Sequence, residues 1–380
     1  MAKKSVRKKR SIFIVLLMLL NSFFALMIVL ALVSTKISPE SNYIPAFLGM
    51  AYPILLYINI GFCLLWIIMR RKLFLISLIA ILVGFNMLPK YFQMNFSRNK
   101  SPKDTVTFTL VSYNVQSFRT FYHHGSQEYL DSLTDFLSQL NPDVLCIQEF
   151  YNDLELENRD ITSRLQQQLN LKYKNIQNRL TRWNRYQFGL AIFSSFPIIN
   201  SGRILNSNYE DEMNTTNFAV FSDIIIDKDT FRLYNVHLES LRISEEEEFL
   251  QMIEDGKSED FMKESGKLFS KLKNAFVFRA NQIKPIREHM DQSPYPVIVC
   301  GDFNDTPASW AYKMMSEGLN DAFVQAGRGF GKTYNGKYPS FRIDYIFTAK
   351  NIKVHWFDNP HVNFSDHFPV YAVCSLNKEN

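Results

Sequence analysis

Six places in the chain set a carboxylate, amide or imidazole at or near the end of a short apolar run. T-L-V-S-Y-N-V ends near Asn114, V-L-C-I-Q-E-F near Glu149, and L-Y-N-V-H-L-E-S holds His237. V-I-V-C-G-D-F-N-D holds Asp302 and Asn304, R-I-D-Y-I-F holds Asp344, and F-S-D-H-F-P-V holds Asp366 and His367. Singly these are weak signals, since an Asn before a turn is usually a turn residue and a His in a strand is usually structural. Glu149 is harder to dismiss, because a charge behind five largely apolar residues is expensive to bury without a partner. Together they supply carboxylates for a hard divalent cation, two imidazoles and two amides. That is the inventory for metal-assisted hydrolysis of a phosphate ester, an anion that repels hydroxide until its oxygens are neutralised. A His beside an Asp can be held protonated and oriented near neutral pH.

Strands are needed to carry these residues. Short β-rich runs are expected at 106–113, 143–149, 187–194, 216–226, 231–239, 296–302, 343–348 and 369–375, with helices at 127–140, 160–169 and 307–316. Such alternation, with several neighbouring strands, predicts a mixed α/β sandwich over 105–377, long enough for a two-sheet core. Residues 241–292 are charged and helix-prone, with Glu245–Glu248 followed by Lys263, Lys267, Lys271 and Lys273. They read as exposed helices inserted between strands, a solvated face rather than a lid. There is no Gly-rich phosphate loop, no Cys/His zinc spacing and no G-x-S-x-G elbow.

The motifs, in this order, resemble the endonuclease/exonuclease/phosphatase superfamily, which includes deoxyribonucleases, abasic-site endonucleases, neutral sphingomyelinases and inositol-polyphosphate phosphatases. G-D-F-N and S-D-H-F-P-V with Q-E upstream are the specific part, and the likeness spans roughly 106–376. The resemblance implies a four-layered α/β sandwich with its site at one end of two packed sheets. It implies that Glu149 is the principal Mg²⁺ ligand, Asn114 the amide beside it that helps hold metal and phosphate, and Asp366 a second metal-site carboxylate. It implies that Asp302 orients or deprotonates the attacking water, Asn304 steadies the phosphoryl oxygens, and His367 contacts the scissile phosphate and is oriented by Asp344. His237 stands where some branches keep His, as an acid for the leaving oxygen or a phosphate contact. Mn²⁺ or Ca²⁺ are alternatives to Mg²⁺. In T-R-W-N-R-Y-Q-F-G, residues Arg182, Trp183 and Arg185 are candidates to meet substrate, as is the basic-aromatic loop 327–337.

The N-terminal quarter is of another kind. Residues 11–33, 44–69 and 73–89 contain no Asp, Glu, Lys or Arg, and are read as an N-terminal bundle of about three transmembrane helices. The basic start, 1–10, suits a signal peptide, but the apolar run is long, lacks a clean cleavage site and has two more behind it, so a retained anchor is expected. Basic residues before the first span and in Arg70-Arg71-Lys72 place those ends in the cytoplasm. With three spans the linker 90–104 and the catalytic part lie outside, in an integral protein of a bacterial inner membrane; if the third span does not cross, the catalytic part is cytoplasmic instead. Cys63, Cys146, Cys300 and Cys374 show neither metal spacing nor a disulfide framework and read as free thiols.

Charge divides the same way. Residues 1–103 carry 14 Lys/Arg and 1 Asp/Glu, a net of +13, whereas 104–380 carry 28 and 36, a net of −8. A wholly soluble protein, a disordered one and a basic nucleic-acid binder are thereby excluded. The leading expectation is a membrane-anchored, divalent-metal-dependent phosphoesterase acting on a phosphodiester or phosphomonoester such as a lipid headgroup, with no obligate protein partner. The alternatives are an extracytoplasmic nuclease acting on DNA or RNA, and a non-catalytic binding module that kept the fold.

Overall fold

The computed structural model describes residues 2–95, 106–118, 126–153, 160–182, 186–204, 217–240, 258–336 and 342–376. The chain begins with helices α1 (Ala2–Ala31), α2 (Ile44–Met50), α3 (Tyr52–Ile68) and α4 (Phe74–Val83). Pro45 and Pro53 occupy the first turns of α2 and α3, where their missing N–H groups are not needed. Ser77 of α4 donates to Asn21 of α1 at 2.5 Å and to Asn59 of α3 at 2.8 Å, all three buried. A polar knot of this kind ties apolar helices into one bundle.

Of the roughly three transmembrane helices expected, the structure bears out one by length and composition. One stretch, Ile12–Thr35, is a continuous helix long and apolar enough to cross a membrane. The second segment is broken into α2 and α3, bent by 59°, and the third holds a helix of only 10 residues. Periodicity-free apolar runs report length in sequence, whereas Gly49-Met50-Ala51 before Pro53 divides one run into two helices.

Next come β1 (Phe92–Met94), β2 (Thr107–Asn114), α5 (Gln127–Leu140), β3 (Val144–Asp153), α6 (Ile161–Gln168), β4 (Tyr173–Arg182), β5 (Tyr186–Ser194), β6 (Ile198–Ile204), β7 (Ala219–Ile226) and β8 (Asp229–His237). They are followed by α7 (Ser258–Asp291), β9 (Val297–Asp302), α8 (Trp310–Met315), β10 (Asn320–Asp321), α9 (Ala322–Ala326), β11 (Arg328–Phe330), β12 (Asp344–Thr348), β13 (Ile352–Asp358) and β14 (Val370–Leu376). Ser126, Asp160 and Ser309 cap α5, α6 and α8 by accepting from backbone N–H groups.

Two six-stranded sheets run β13-β14-β2-β3-β5-β4 and β10-β12-β9-β8-β7-β6; β1 and β11 form a separate antiparallel ribbon. Phe108, Leu110, Cys146, Ile192, Leu233, Ile298 and Cys300 fill the space between the sheets. Leu130, Leu133 and Leu165 of α5 and α6 cover the outside of the first sheet. Ile283, Ile286 and Met290 of α7, with Met315 of α8, cover the second. Helix, sheet, sheet, helix is the four-layered α/β sandwich that was expected. Cys146, Cys300 and Cys374 are buried and free.

The reading of 241–292 as solvated inserted helices is corrected: Ala275, Phe276, Arg279, Ala280, Ile283, Ile286 and Met290 are buried, so this part of α7 is a layer of the sandwich. Its charges sit between those positions, a stripe that a charge count alone does not reveal. Residues 241–257, with the Glu245–Glu248 run, lie outside the described residues, as does 96–104 of the linker.

The helical bundle and the sandwich touch along a defined seam. Ser34 Oγ donates to the Ala308 carbonyl at 2.5 Å and Thr306 Oγ1 to the Gly49 carbonyl at 3.5 Å. Phe47 stacks on Phe269 at 4.5 Å, Lys284 pairs with Glu40, and Arg342 Nη1 donates to the Lys90 carbonyl at 3.1 Å.

Candidate active site

Strand alternation explains how the polar residues converge. On β2 the parity that turns Phe108 and Leu110 toward the opposite sheet also turns Asn114 inward. The same count from Ile298 and Cys300 gives Asp302, from Phe231 and Leu233 gives His237, and from Ile346 gives Asp344. The pairs β2–β3 and β8–β9 are parallel, and His237 stands opposite Asp302 in register. β12 runs antiparallel to β9, so its first residue, Asp344, is opposite Asp302. All of them meet at one end of the space between the sheets.

Glu149 does not follow this count. A bulge between Ile147 and Phe150 shifts the register, and Glu149 has φ of 52°. Gln148 keeps the inward position and crosses the gap to donate to Asn235 Oδ1 at 2.6 Å, which leaves Glu149 re-aimed into the site. Gln116, Ser117, Phe118 and Asn304 also have φ between 48° and 53°. Left-handed backbone at non-glycine residues is strained, and here it gathers at the polar cluster.

The contacts form one network. Asn114 Nδ2 donates to Asp302 Oδ2 at 3.0 Å and approaches Glu149 Oε1 at 3.5 Å; its Oδ1 accepts from Gln116 N–H. Asn304 N–H and Nδ2 both hold Asp302, at 2.8 and 3.2 Å, and Nδ2 also donates to the Leu238 carbonyl. The side-chain amide of Asn304 is thereby shared between Asp302 and the Leu238 carbonyl. His367 Nδ1 lies 3.0 Å from Asp344 Oδ2, and His367 Nε2 is 3.6 Å from Asp302 Oδ2. His237 Nε2 is 3.7 Å from Asp302 and 3.9 Å from Glu149. Asp366 Oδ2 accepts from Gln116 Nε2 at 3.0 Å. All eight strand-end residues singled out in the sequence therefore stand together. Arg182 closes β4, and its side chain, with Trp183 and Arg185, lies outside the described residues.

Several residues of the site had no signal of their own. Ser365 Oγ donates to the Asn114 carbonyl at 2.8 Å, Ser117 reaches Glu149 at 3.5 Å, and Asn217 Nδ2 lies 3.3 Å from His237 Nε2. Two residues of the loop 327–337, which the sequence did single out, join them: Thr333 Oγ1 accepts from the Asp344 N–H at 3.0 Å, and the Tyr334 ring meets His367 edge-on at 5.3 Å. Gln116, Ser117 and Ser365 flank motif residues, so adjacency was their one available clue.

Electrostatics separates the groups into roles. Burial pushes the Asp302 carboxyl up to about 6, with the Asp344 charge adding to the rise and the neighbouring imidazoles opposing it. Burial alone would strip His367 of its proton, but the Asp344 and Asp302 carboxylates outweigh it and raise His367 well above the usual range. A poised base and a held proton sit side by side. Glu149 is raised by burial and then by the Asp366 charge. Four carboxylates thus crowd two imidazoles, and among the described residues no Lys or Arg pairs with any of the four. Two buried carboxylates, Asp302 and Asp344, and two half-buried ones, Glu149 and Asp366, gathered without a basic side chain fit a divalent cation. Asp302, Asp344 and His367 present ligand atoms within 4.8 Å of one another. The His367 imidazole is already bonded to Asp344, so Glu149 and Asp366, oxygen donors tied through Gln116, Ser117 and Asn114, suit a hard cation better.

Residues 111–367 match the model of the Endonuclease/Exonuclease/phosphatase family, and 10–91 match a domain of unknown function (DUF8431). The chain belongs to the endonuclease/exonuclease/phosphatase family and is a hydrolase of phosphoester bonds; enzymes of that family depend on a divalent metal. Similar solved structures include an endonuclease/exonuclease/phosphatase from Bacteroides vulgatus, 18% identical with a TM-score of 0.51, covering 72% of this chain and 100% of that one. A family protein from Bacteroides thetaiotaomicron is 18% identical with a TM-score of 0.51, covering 73% and 98%. The human nocturnin catalytic domain with bound sulfate anion is 19% identical with a TM-score of 0.50, covering 71% and 94%. At these identities the likeness is one of fold. No curated protein matches the chain.

Proposed function

We propose that the protein is a membrane-anchored phosphoesterase that uses Mg²⁺ to bring water onto phosphorus. The observation that carries this reading is the Asp344–His367–Asp302 arrangement beside the acidic pair Glu149 and Asp366. Glu149 and Asp366 would hold the cation, with Asn114 steadying Glu149, and Mn²⁺ or Ca²⁺ could replace Mg²⁺. When bound, the cation neutralises phosphate oxygens and the charge developing on the leaving oxygen. Asp302, fixed by Asn114 and Asn304, takes the proton of the attacking water. His367, kept protonated by Asp344, donates to a phosphoryl oxygen. His237 is placed to meet the leaving oxygen or a second phosphoryl oxygen.

The test is hydrolysis of bis(p-nitrophenyl) phosphate by the full chain in detergent. Activity is expected to vanish in EDTA and return with Mg²⁺. In Glu149→Gln the Mg²⁺ concentration giving half-maximal rate is expected to rise at least about 10–100-fold. An unchanged Mg²⁺ requirement would remove Glu149 from the metal site.

Anchoring is supported by how little the first helix is covered. Only 17% of its most apolar window is buried, which is unlike the core helix of a soluble protein. Exposed Ile12, Phe13, Leu16, Leu19 and Phe23 continue into Ile54, Leu64, Ile67, Ile79 and Leu82 on the other helices. This much exposed apolar side chain on three helices calls for lipid. α3 extends about 26 Å and α4 about 15 Å, against a bilayer core of about 30 Å. The sandwich touches segments 34–49 and 90–94, whereas Arg70-Arg71-Lys72 lies at the other turn of the bundle. Basic ends in the cytoplasm then put the catalytic part outside. Fused to the C-terminus in a bacterial host, alkaline phosphatase is expected to be active; an inactive fusion at normal protein level would reverse the orientation.

A further inference from the structure

The seam between bundle and sandwich falls at the catalytic end. The chain leaving Asp302 and Asn304 runs at once to Thr306 and Ala308, which bond to Gly49 and Ser34. The chain entering Asp344 passes Arg342, which holds the Lys90 carbonyl. Between them β11 pairs with β1, Gly331 N–H donates to the Tyr91 carbonyl at 3.3 Å, and Thr333 and Tyr334 reach Asp344 and His367. Three chain segments that frame the site are therefore tied to the ends of the apolar helices.

The ribbon of β1 and β11 has an unusual surface. Phe92, Met94 and Phe330 are 42%, 67% and 57% exposed, and the two Phe rings lie 4.9 Å apart. Val83 and Phe85, at the end of α4, are exposed too, and β1 packs against the turn Phe85–Lys90 that follows. Arg328 and Lys332 flank Phe330 in sequence, the composition of an element lying at an anionic headgroup layer. No second protein is needed to cover such a face when the bilayer begins a few residues away.

We propose that the substrate is a phospholipid of the surrounding bilayer, whose headgroup phosphoester enters the site over the β1–β11 ribbon resting in the headgroup layer. This rests on the phosphoesterase reading and on the anchor. The water oxygen forms a new P–O bond, one ester P–O bond breaks, and the departing oxygen takes a proton; nothing is oxidised or reduced. A nucleic acid would have to lie between the bilayer and a catalytic part that carries a net charge of −8 over 104–380.

The test uses the full chain in vesicles of phosphatidylethanolamine, phosphatidylglycerol and phosphatidate, followed by phosphorus NMR. Plasmid DNA and bis(p-nitrophenyl) phosphate are offered to the same preparation. Phospholipid is expected to be hydrolysed faster per phosphate than DNA. Phe92→Ser and Met94→Ser are each expected to slow lipid hydrolysis about tenfold while leaving the soluble ester unaffected. Hydrolysis of the soluble ester without hydrolysis of phospholipid, faster cleavage of DNA, or ribbon variants that match the wild type on lipid would each overturn the inference while the phosphoesterase reading stands. Failure on the soluble ester, DNA and lipid alike would overturn both.

Discussion

Replacing His367 with alanine is expected to slow hydrolysis of a soluble phosphodiester by about 10²–10⁴-fold at saturating Mg²⁺. The imidazole is buried, 3.0 Å from Asp344 and 3.6 Å from Asp302, with the Tyr334 ring against its side. Its proton is held by the two carboxylates against the pull of burial, so no water replacing it can offer an equally acidic donor in the same place. Asp344→Asn removes the acceptor that holds that proton and is expected to lose less. The double variant should be hardly worse than His367→Ala alone, because the pair acts as a unit. His367→Gln retains volume and a donor, so a fold intact by circular dichroism with activity still lost separates chemistry from packing. Retention of activity within about threefold in both His367 variants would exclude the role given to this residue.

A single methyl group at Gly301 is expected to remove the folded protein. Gly301 has φ of 135°, and a Cβ there would run into the Val236 carbonyl on the neighbouring strand. That neighbour is backbone, held on one side by β7 and on the other by β9 itself in the middle of the sheet, so it cannot give way. Strain and overlap together place Gly301→Ala above about 4 kcal/mol of destabilisation, in the range where a domain ceases to accumulate. The measurement is thermal unfolding or, failing that, yield of the detergent-solubilised full chain. Gly266→Ala, in α7 with open space around it, is the control and should gain about 0.5–1 kcal/mol. A normal melting temperature for Gly301→Ala would mean that the backbone at the G-D-F-N turn is softer than the register implies. The glycine matters chemically as well, since it sets the approach of β9 to β8 and so the distance between Asp302 and His237.

Which elements could be read from the amino-acid order follows from where they lie. The strands expected at 106–113, 143–149, 187–194, 216–226, 231–239, 296–302, 343–348 and 369–375 correspond to β2, β3, β5, β7, β8, β9, β12 and β14, the interior strands of the two sheets. Within those two sheets the strands without an expectation, β4, β6, β10 and β13, are the four edges, and the β1–β11 ribbon had none either. An interior strand here is covered by the other sheet on one face and helices on the other, so it appears as an apolar run. An edge strand such as Y-K-N-I-Q-N-R-L-T-R meets solvent and keeps polar residues that guard it against further pairing.

The site divides on the same ground. Asn114, Glu149, His237, Asp302, Asn304, Asp344, Asp366 and His367 could be found because a polar group beside a buried strand breaks a hydrophobic pattern, and the amino-acid order alone determined that inventory and the chemistry it suits. The order of residues also set the division of the chain into an apolar basic quarter and an acidic α/β part. Tertiary structure alone decided that the bulge at Ile147–Phe150 aims Glu149 inward, that Asn217, Thr333 and Tyr334 close around the two imidazoles, and that α7 is a core layer. It likewise decided that the ends of the apolar helices grip the loop after Asp302. Local sequence records what each residue must hide from water, whereas register, bulges and docking depend on contacts between segments as much as 274 positions apart, which no window of the chain contains.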